Sequence, residues 1–278
     1  MNLTSPSQVK AWCIDHEFHP NKTLGQNFLI DRNILEAIVD AGLEHAKEGG
    51  RILEIGPGLG VMTEEILRRG FDVLAIEKDA ALAEGLAARV AGGGMHEASR
   101  APSLEVVVAD ALDVIANDGG RLDGIETLLS NLPYQAGTRI LLDLAAKRTM
   151  KTMTVLLQSE VAQRLSAKEG GRERSLAGVW VQLDYDVEIV RKVSAACFWP
   201  RPEIGSTVVR LRRHDRHADL GETERKAFFS VARQAFAHRR KQLASIFRGY
   251  ATTEKRAETL SVEEWIDFAK GWLKHENS

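Results

Sequence analysis

The sequence predicts an α/β fold in which a doubly wound, mostly parallel sheet is followed by a small helical domain. Five short runs rich in Ile, Leu and Val alternate with longer segments whose apolar residues recur at helical spacing. The runs are almost continuously apolar, as strands are when helices cover both faces of a parallel sheet. A polar stretch then precedes amphipathic segments. These patterns together predict a Rossmann-like domain with a C-terminal all-helical appendage.

The elements of the first domain follow from these runs in chain order. The predicted strands are residues 51–56, 72–77, 104–110, 126–133 and 152–158. The predicted crossover helices are residues 59–69, 80–90 and 137–147, which contain few helix breakers. Residues 91–102, with their three consecutive glycines, are interpreted as a loop insertion without a functional role.

The polar residues 214–221 predict a linker, so we place one domain at 1–213 and a second at 214–278. Residues 222–247 are expected to form helix with a buried apolar stripe. The members of that stripe are Phe229, Ala232, Phe236, Leu243 and Phe247. A last helix, 262–273, is expected to pack three aromatic residues against it: Trp265, Phe268 and Trp272.

Composition limits the class of protein. The 278 residues are 44% hydrophobic and 27% charged, which is typical of a globular chain with a buried core. No apolar run approaches the roughly 20 residues of a membrane span, and residues 1–10 lack the pattern of a signal peptide, so we expect a cytoplasmic monomer. The two cysteines are neither paired in a disulfide pattern nor spaced as ligands, which predicts reduced thiols and no metal.

A glycine-rich turn, 54–60 (Glu-Ile-Gly-Pro-Gly-Leu-Gly), follows the first predicted strand and makes Gly56 and Gly58 candidate cofactor contacts. An NAD-binding turn is the alternative, but it needs a third glycine where this chain has Val61. Glu54 would repel a pyrophosphate, whereas it suits a ligand with sulfonium and ammonium charges. The turn therefore favours a methionine-type cofactor.

Carboxylates follow the next two strands. Glu77 is placed to accept hydrogen bonds from two ribose hydroxyls, although NAD would use the same acid. Asp110 is placed to accept a hydrogen bond from the amino group of an adenine ring. Because the carboxyl ends of parallel strands share one edge of the sheet, these acids are expected to surround one nucleoside.

The tetrapeptide 131–134 (Asn-Leu-Pro-Tyr) follows the fourth strand and predicts methylation of an exocyclic amine. Such an amine is a poor nucleophile because its lone pair is delocalised into the ring. The Asn131 side-chain oxygen and the Pro133 carbonyl would each accept one N–H bond and stabilise the charge that develops during attack. Tyr134 would stack on the base.

Seven ordered segments resemble the small-subunit rRNA adenine N6,N6-dimethyltransferases: 24–31, 54–60, 77–79, 110–111, 131–134, 158–165 and 198–206. The resemblance implies a class I methyltransferase fold and dimethylation of two adjacent adenosines near the 3′ end of small-subunit rRNA, in a pre-30S particle. It also implies that Phe198 encloses the adenine opposite Tyr134, where the residues alone indicate a core anchor. The residues implied to contact S-adenosylmethionine are Asn27, Leu29, Gly56, Glu77, Asp110 and Asn131.

Residues 225–256 contain nine Lys and Arg residues and a single acid, which points to a phosphate-bearing partner. On one continuous helix, four positions would recur at about seven-residue steps: Lys226, Arg233, Arg240 with Lys241, and Arg248. We expect this row to contact the rRNA backbone, with Arg239, Arg240 and Lys241 at its centre. A solvated charged face and a noncatalytic assembly or transcription factor are the alternatives; intact Asn131 and Glu77 argue against lost catalysis.

Overall fold

The computed structural model describes residues 3–21, 25–92, 101–117 and 119–276. The strands are β1 (Phe28–Leu29), β2 (Arg51–Ile55), β3 (Asp72–Glu77), β4 (Leu104–Val108), β5 (Thr127–Asn131), β6 (Thr152–Gln158), β7 (Tyr185–Val193), β8 (Phe198–Trp199) and β9 (Ser206–Arg213). The helices are α1 (Pro6–Asp15), α2 (Arg32–Leu43), α3 (Val61–Arg68), α4 (Ala80–Gly92), α5 (Ala111–Ala116), α6 (Gly137–Lys147), α7 (Ser159–Ser166), α8 (Leu176–Gln182), α9 (Glu222–Ala237), α10 (Leu243–Ile246) and α11 (Val262–Glu276).

Seven strands form one sheet in the order β4-β3-β2-β5-β6-β9-β7. Strands β2 to β6 pair in parallel, and β9 is antiparallel to β6. The chain winds outward from β2 through β3 to β4, and then from β5 to β6 on the other side. The predicted doubly wound α/β sheet is therefore confirmed. Its topological switch point, where such sheets bind ligands, lies between β2 and β5.

The five predicted strands and three predicted crossover helices are present, although β2, β4 and β5 end one or two residues earlier than predicted and α5, β7 and β9 were not predicted. Helix α6 and strand β6 have the predicted bounds. Helix α3 begins two residues after the predicted position, because Gly60 adopts a left-handed backbone conformation with φ of 73°. A side chain at Gly60 would also come within 2.3 Å of Leu86 Cδ1. Residues 93–100 of the predicted loop insertion lie outside the described residues.

The chain divides into two compact units, and each unit is formed by two separate stretches of the chain. The first unit comprises 1–159 and 188–212, and the second comprises 160–187 and 213–278. Residues 160–187, which the sequence analysis assigns to the first domain, thus belong to the helical unit. They contribute to the core of that unit, because Val179 and Leu183 are fully buried in the same apolar cluster as Phe228 of α9.

The long basic helix expected over 222–247 is interrupted, which corrects the sequence analysis. Helix α9 ends at Ala237, and His238 and Lys241 form turn hydrogen bonds to Ala235 and His238. The next residues pair with a distant segment, since the Leu243 N–H donates to the Lys255 carbonyl at 2.9 Å. This pairing lets Leu243 reach the core, where it is fully buried. The four cationic positions therefore do not form a row on one helix.

Aromatic residues form the centre of the helical unit. Trp265 of α11 is fully buried and lies 6.2 Å from the Phe236 ring and 5.8 Å from the Phe268 ring, between ring centroids. Phe247 lies 5.2 Å from Trp272. The predicted packing of the last helix is thus confirmed. The stripe on α9 differs from the prediction at two positions: Phe229 and Phe236 are only partly buried, whereas Phe228, outside the predicted stripe, is fully buried.

The helices that the described residues form include none that is both long enough and apolar enough to cross a membrane.

We expect Trp265→Ala to destabilise the helical unit by about 3–5 kcal/mol, because the truncation leaves a cavity where a fully buried indole packs against two aromatic rings. Amide hydrogen exchange of α9 and α11 measures this loss. Ile14→Ala is the control, since the Ile14 side chain is 76% exposed and its removal should change stability by less than about 0.5 kcal/mol. Unchanged protection of both helices would contradict this account of the core.

Candidate active site

A cavity opens in the first unit at the carboxyl ends of β2, β3 and β5. The glycine turn and the tetrapeptide 131–134 both line it, and they lie close together, since a Cβ at Gly56 would come within 3.7 Å of Pro133 Cδ. Predicted residues that line it are Asn27, Leu29, Gly56, Gly58, Glu77, Asp110, Asn131, Pro133 and Tyr134. Tertiary structure thus brings together nine positions that are spread over more than a hundred residues of sequence. Phe198 is the predicted residue of this group that does not line the cavity.

The tetrapeptide is anchored to the sheet on both sides of its catalytic candidates. Ser130, just before it, is fully buried and donates its hydroxyl hydrogen bond to the Ile55 carbonyl of β2 at 2.6 Å. Leu132 is 1% exposed and holds the segment in the core. All four residues of the tetrapeptide line the cavity.

Asn131 is oriented by the N-terminal segment. Its side-chain Nδ2 donates to the Asn27 carbonyl at 3.1 Å, and the Asn27 side chain donates in turn to the Gly25 carbonyl at 3.0 Å. An amide has one NH₂ and one oxygen, so committing the NH₂ to Asn27 leaves Oδ1 as the acceptor. This is the group that the predicted chemistry requires.

The Pro133 carbonyl is already engaged. It accepts the Gly137 N–H at 2.7 Å in the turn that leads into α6. A carbonyl oxygen has two lone pairs, so one remains for a second donor. To act as the predicted acceptor for an amine, this carbonyl oxygen would therefore accept two hydrogen bonds at once, one from Gly137 and one from the amine. The hydrogen bond to Gly137 also fixes the direction of the carbonyl.

Tyr134 is partly buried, and its hydroxyl lies 2.7 Å from Ser206 Oγ. Burial raises the pKa of its phenol. Its backbone nitrogen lies opposite Gly25, where φ is +67° and an added Cβ would approach that nitrogen to 3.2 Å. Gly25 is therefore required both for its backbone conformation and for the close approach of the two segments.

The glycine turn is held by the acid of the next strand. The Gly58 N–H donates to Glu77 Oε2 at 3.0 Å, and the Asp79 N–H donates to Oε1 at 2.9 Å. A Cβ on Gly58 would lie 3.1 Å from the Phe28 ring, and its φ is +57°. Burial raises the pKa of the Glu77 carboxyl despite these two hydrogen bonds. The turn and the acid thus form one preorganised unit.

Asp110 has a different environment from Glu77. Lys78 Nζ lies 2.8 Å from Asp110 Oδ2, and the Leu112 N–H donates to Oδ1 at 2.9 Å. The hydrogen bond from Lys78 lowers the pKa of the Asp110 carboxyl. Asp110 is therefore an ionised acceptor at the cavity, and it also caps α5. Lys78 was not among the residues that the sequence predicts, although its position next to Glu77 was a signal.

Glu54 is the most unusual acid of the cavity. It is 2% exposed and accepts a hydrogen bond from Thr63 Oγ1 at 2.5 Å. Burial, with a smaller contribution from the nearby Glu77 charge, raises the pKa of Glu54 to about 8. A cationic ligand in the cavity would favour the ionised carboxylate, as the charge argument from the sequence expects. The group is thus poised to change protonation when such a ligand binds.

The structure does not bring Phe198 to the position that the family resemblance implies. Its side chain is 2% exposed and packs in the core cluster that includes Leu29, Ile38 and Val208. In the backbone, Phe198 pairs with Leu29 through the antiparallel β1–β8 ladder. In this position the ring fixes β1, which carries Leu29 to the cavity wall. The implied role of Phe198 in enclosing the adenine stays a prediction, since it would require the ring to leave this packing.

Two supporting residues were missed by the sequence analysis because their partners are far away in the chain. Gln26 donates to Asp79 Oδ2 at 3.0 Å and accepts the Asn21 N–H at 2.7 Å. Ser206 contacts Tyr134 across more than seventy residues. Both lie inside segments that matched family motifs, which was the one available signal. No cluster of metal-ligating side chains occurs within residues 3–21, 25–92, 101–117 and 119–276.

The cations predicted to bind RNA are exposed in the helical unit, and their side chains differ in the groups that they contact. Lys226 pairs with Glu222 at 3.0 Å on α9, and the Arg233 guanidinium lies 5.3 Å from the centre of the Trp180 ring. Arg239 donates to the Arg172 carbonyl at 2.5 Å. Three exposed cations have no ion pair with any other described residue: Arg240, Lys241 and Arg248.

Comparison with known proteins identifies the relatives of this chain. Residues 17–267 match the model of the family described as ribosomal RNA adenine dimethylase. A ribosomal RNA small subunit methyltransferase A of Chlamydia abortus is 36% identical, over 96% of this chain and 92% of the relative. The protein of the same name from Geobacillus thermodenitrificans is 35% identical, over 87% of this chain and 80% of the relative.

Two solved structures share the fold. A dimethyladenosine transferase from Plasmodium falciparum has a TM-score of 0.73 at 22% identity, covering 90% of this chain and 98% of that chain. The 23S rRNA methyltransferase ErmE has a TM-score of 0.66 at 23% identity, covering 88% and 98%. These likenesses confirm the predicted class I methyltransferase fold.

Glu54→Gln should change how stability depends on pH. The folded-state pKa of Glu54, about 8, lies above its ordinary value of 4.5, so the native state retains a proton that the unfolded chain loses. Stability therefore falls as pH rises from about 4.5 to about 8 and then levels off, by on the order of a few kcal/mol. Urea unfolding of both proteins between pH 5 and 9 measures the difference. Parallel curves would contradict a raised Glu54 pKa.

Proposed function

Because the chain belongs to the ribosomal RNA adenine dimethylase family, we propose that it dimethylates N6 of two adjacent adenosines near the 3′ end of small-subunit 16S rRNA. The donor is S-adenosylmethionine, the cofactor of this family of methyltransferases. The helix 45 loop as the target rests on the motif resemblance in the sequence. The choice of the small subunit is supported by relatives at 36% and 35% identity whose names specify it.

The observation that carries the proposal is that Asn131, Pro133 and Tyr134 line the same cavity as the glycine turn. Asn131 Oδ1 and the Pro133 carbonyl accept the two N–H bonds of the target amine, while Tyr134 stacks on the base. Both acceptors are neutral, so they stabilise positive charge on nitrogen rather than remove the proton first. The amine loses its proton to solvent after the transfer. A strong general base is not required.

The residues of the cavity fit the proposed donor. S-adenosylmethionine carries positive charge on its sulfonium and ammonium groups, and it supplies an electrophilic methyl group. Three carboxyls at the cavity suit that charge: Glu54, Glu77 and Asp110. Glu77 would hold the ribose hydroxyls and Asp110 the adenine amino group. Asn27, Leu29, Gly56 and Gly58 would line the remaining surface.

Dimethylation imposes a condition on the two acceptors. A monomethylated amine has a single N–H, so during the second transfer only one of Asn131 and Pro133 receives a hydrogen bond. The first methyl group then occupies the space beside the other acceptor. Because the Pro133 carbonyl is already bonded to Gly137, it tolerates the loss of the second donor better than the Asn131 oxygen does.

The proposed setting is a pre-30S particle in the cytoplasm during ribosome biogenesis. The target adenine must leave its stack to enter the cavity, which costs least in a loop. Exposed cations of the helical unit, with Arg239, Arg240 and Lys241 central, are proposed to hold the RNA backbone. The residues proposed to act belong to one chain, so we propose a monomer. Amine methylation by these groups requires no metal.

Asn131→Ala should reduce methyl transfer by about 10²- to 10³-fold in kcat, because it removes a preorganised acceptor for the charge that develops on nitrogen. The assay measures transfer of radiolabelled methyl groups to 30S particles that lack these modifications. Asn117→Ala is the matched control, since the Asn117 side chain is exposed and does not line the cavity. Wild-type protein that transfers no methyl groups to small-subunit rRNA would refute the proposed function. Full activity of Asn131→Ala would refute the role of this residue.

Reversing the charges of Arg240 and Lys241 to Glu should weaken RNA binding and reduce its salt dependence. Each lost phosphate contact lowers the slope of log affinity against log salt by about 0.7–0.9. The control, Lys147→Glu with Lys151→Glu, makes the same change in net charge at exposed positions of the first unit. Filter binding over a range of salt concentrations measures both variants. Equal effects of the two double variants would show that net charge, rather than this surface, determines binding.

A further inference from the structure

The far end of the Tyr134 side chain is held by a residue that does not line the cavity. The Tyr134 hydroxyl lies 2.7 Å from Ser206 Oγ, which is hydrogen-bond distance. Tyr134 lines the cavity, whereas Ser206 is 1% exposed and lies behind it. Ser206 therefore reaches the reaction only through the tyrosine.

The backbone around Ser206 is fixed by several independent contacts. Ser206 is the first residue of β9 and pairs with Gln158, the last residue of β6. The neighbouring Gly205 carbonyl accepts two hydrogen bonds from Ser159, from its backbone nitrogen at 3.0 Å and from its hydroxyl at 2.9 Å. The Ser159 hydroxyl also lies 3.0 Å from Thr207 Oγ1. Ser206 Oγ is thus presented from a rigid strand end.

The near end of Tyr134 is fixed as well. It follows Pro133, whose carbonyl is bonded to Gly137, and its backbone nitrogen packs against Gly25. A tyrosine side chain has two rotatable angles. Rotation about the first one moves the hydroxyl and would break the contact with Ser206, whereas a ring flip about the second one would not. The hydrogen bond to Ser206 therefore restrains the first of these angles and keeps the ring from swinging away.

We propose that Ser206 is a positioning residue for the target adenine, because its hydroxyl holds the Tyr134 ring in the position where the base stacks. This inference rests on the proposed function. Without the hydrogen bond, the ring samples other rotamers, and a smaller fraction of bound adenines has its amine between Asn131 Oδ1 and the Pro133 carbonyl. The loss falls on turnover, because productive geometry is needed for the transfer itself. Cofactor affinity is unaffected, since Ser206 does not line the cavity.

The test is a double-mutant cycle of Ser206→Ala and Tyr134→Phe, with methyl transfer to unmodified 30S particles and cofactor affinity both measured. Each single variant breaks the same hydrogen bond and keeps the aromatic ring, so each should lower kcat about threefold to tenfold. The double variant should be no slower than the slower single variant. The dissociation constant of S-adenosylmethionine should stay within about twofold of wild type in all three.

Thr154→Val is the matched control. It removes a fully buried hydroxyl of β6 that has no hydrogen-bond partner among the described residues, so kcat should stay at the wild-type value. Multiplicative losses in the double variant, or the same loss in Thr154→Val, would overturn the inference. If Ser206→Ala does not fold, wild-type turnover of Tyr134→Phe overturns it alone. Inactive wild-type protein would overturn the proposed function and this inference with it, whereas active wild type with fully active Ser206→Ala would overturn only the inference.

Discussion

The parallel pairing of β2 with β5 is the constraint on which the cavity depends. The pairing places Leu53 beside Leu128, and the buried hydrogen bond from Ser130 to the Ile55 carbonyl locks the two strand ends together. The chain leaves β2 toward β3 and leaves β5 toward β6, in opposite directions along the sheet. The loops after the two strands therefore separate and leave a crevice between them. The glycine turn and the tetrapeptide 131–134 both line the cavity for this reason.

The same crevice contains acids whose burial opposes stability. Glu54 has a hydroxyl partner but no cationic one among the described residues, and its raised pKa records the cost of ionising it there. Glu77 is held by backbone N–H groups, and Asp110 by Lys78. Neighbouring groups thus compensate the negative charge of the three carboxyls to three different degrees. A cationic ligand would favour the ionised form of Glu54, because its charge offsets the burial that raises the pKa of this carboxyl.

In the helical unit, the core determines where the cations lie. The chain leaves the α9 helix after Ala237 so that Leu243 and Phe247 can be buried against the aromatic residues of α11. Arg239, Arg240 and Lys241 consequently lie in the connecting turn rather than along a helix. Side chains in a turn project in several directions.

The sequence by itself determined the α/β class, the doubly wound sheet and most of the cavity, because strand ends and short motifs are local patterns. Apolar runs predict strands, and glycines and acids directly after them fall at one edge of a parallel sheet. Tertiary structure alone decided that Phe198 is a core residue, that Asn27 orients Asn131, and that Ser206 holds Tyr134. It also decided where α9 ends, since that depends on pairing with Lys255. These features are contacts between distant segments, and the packing of the whole core selects them.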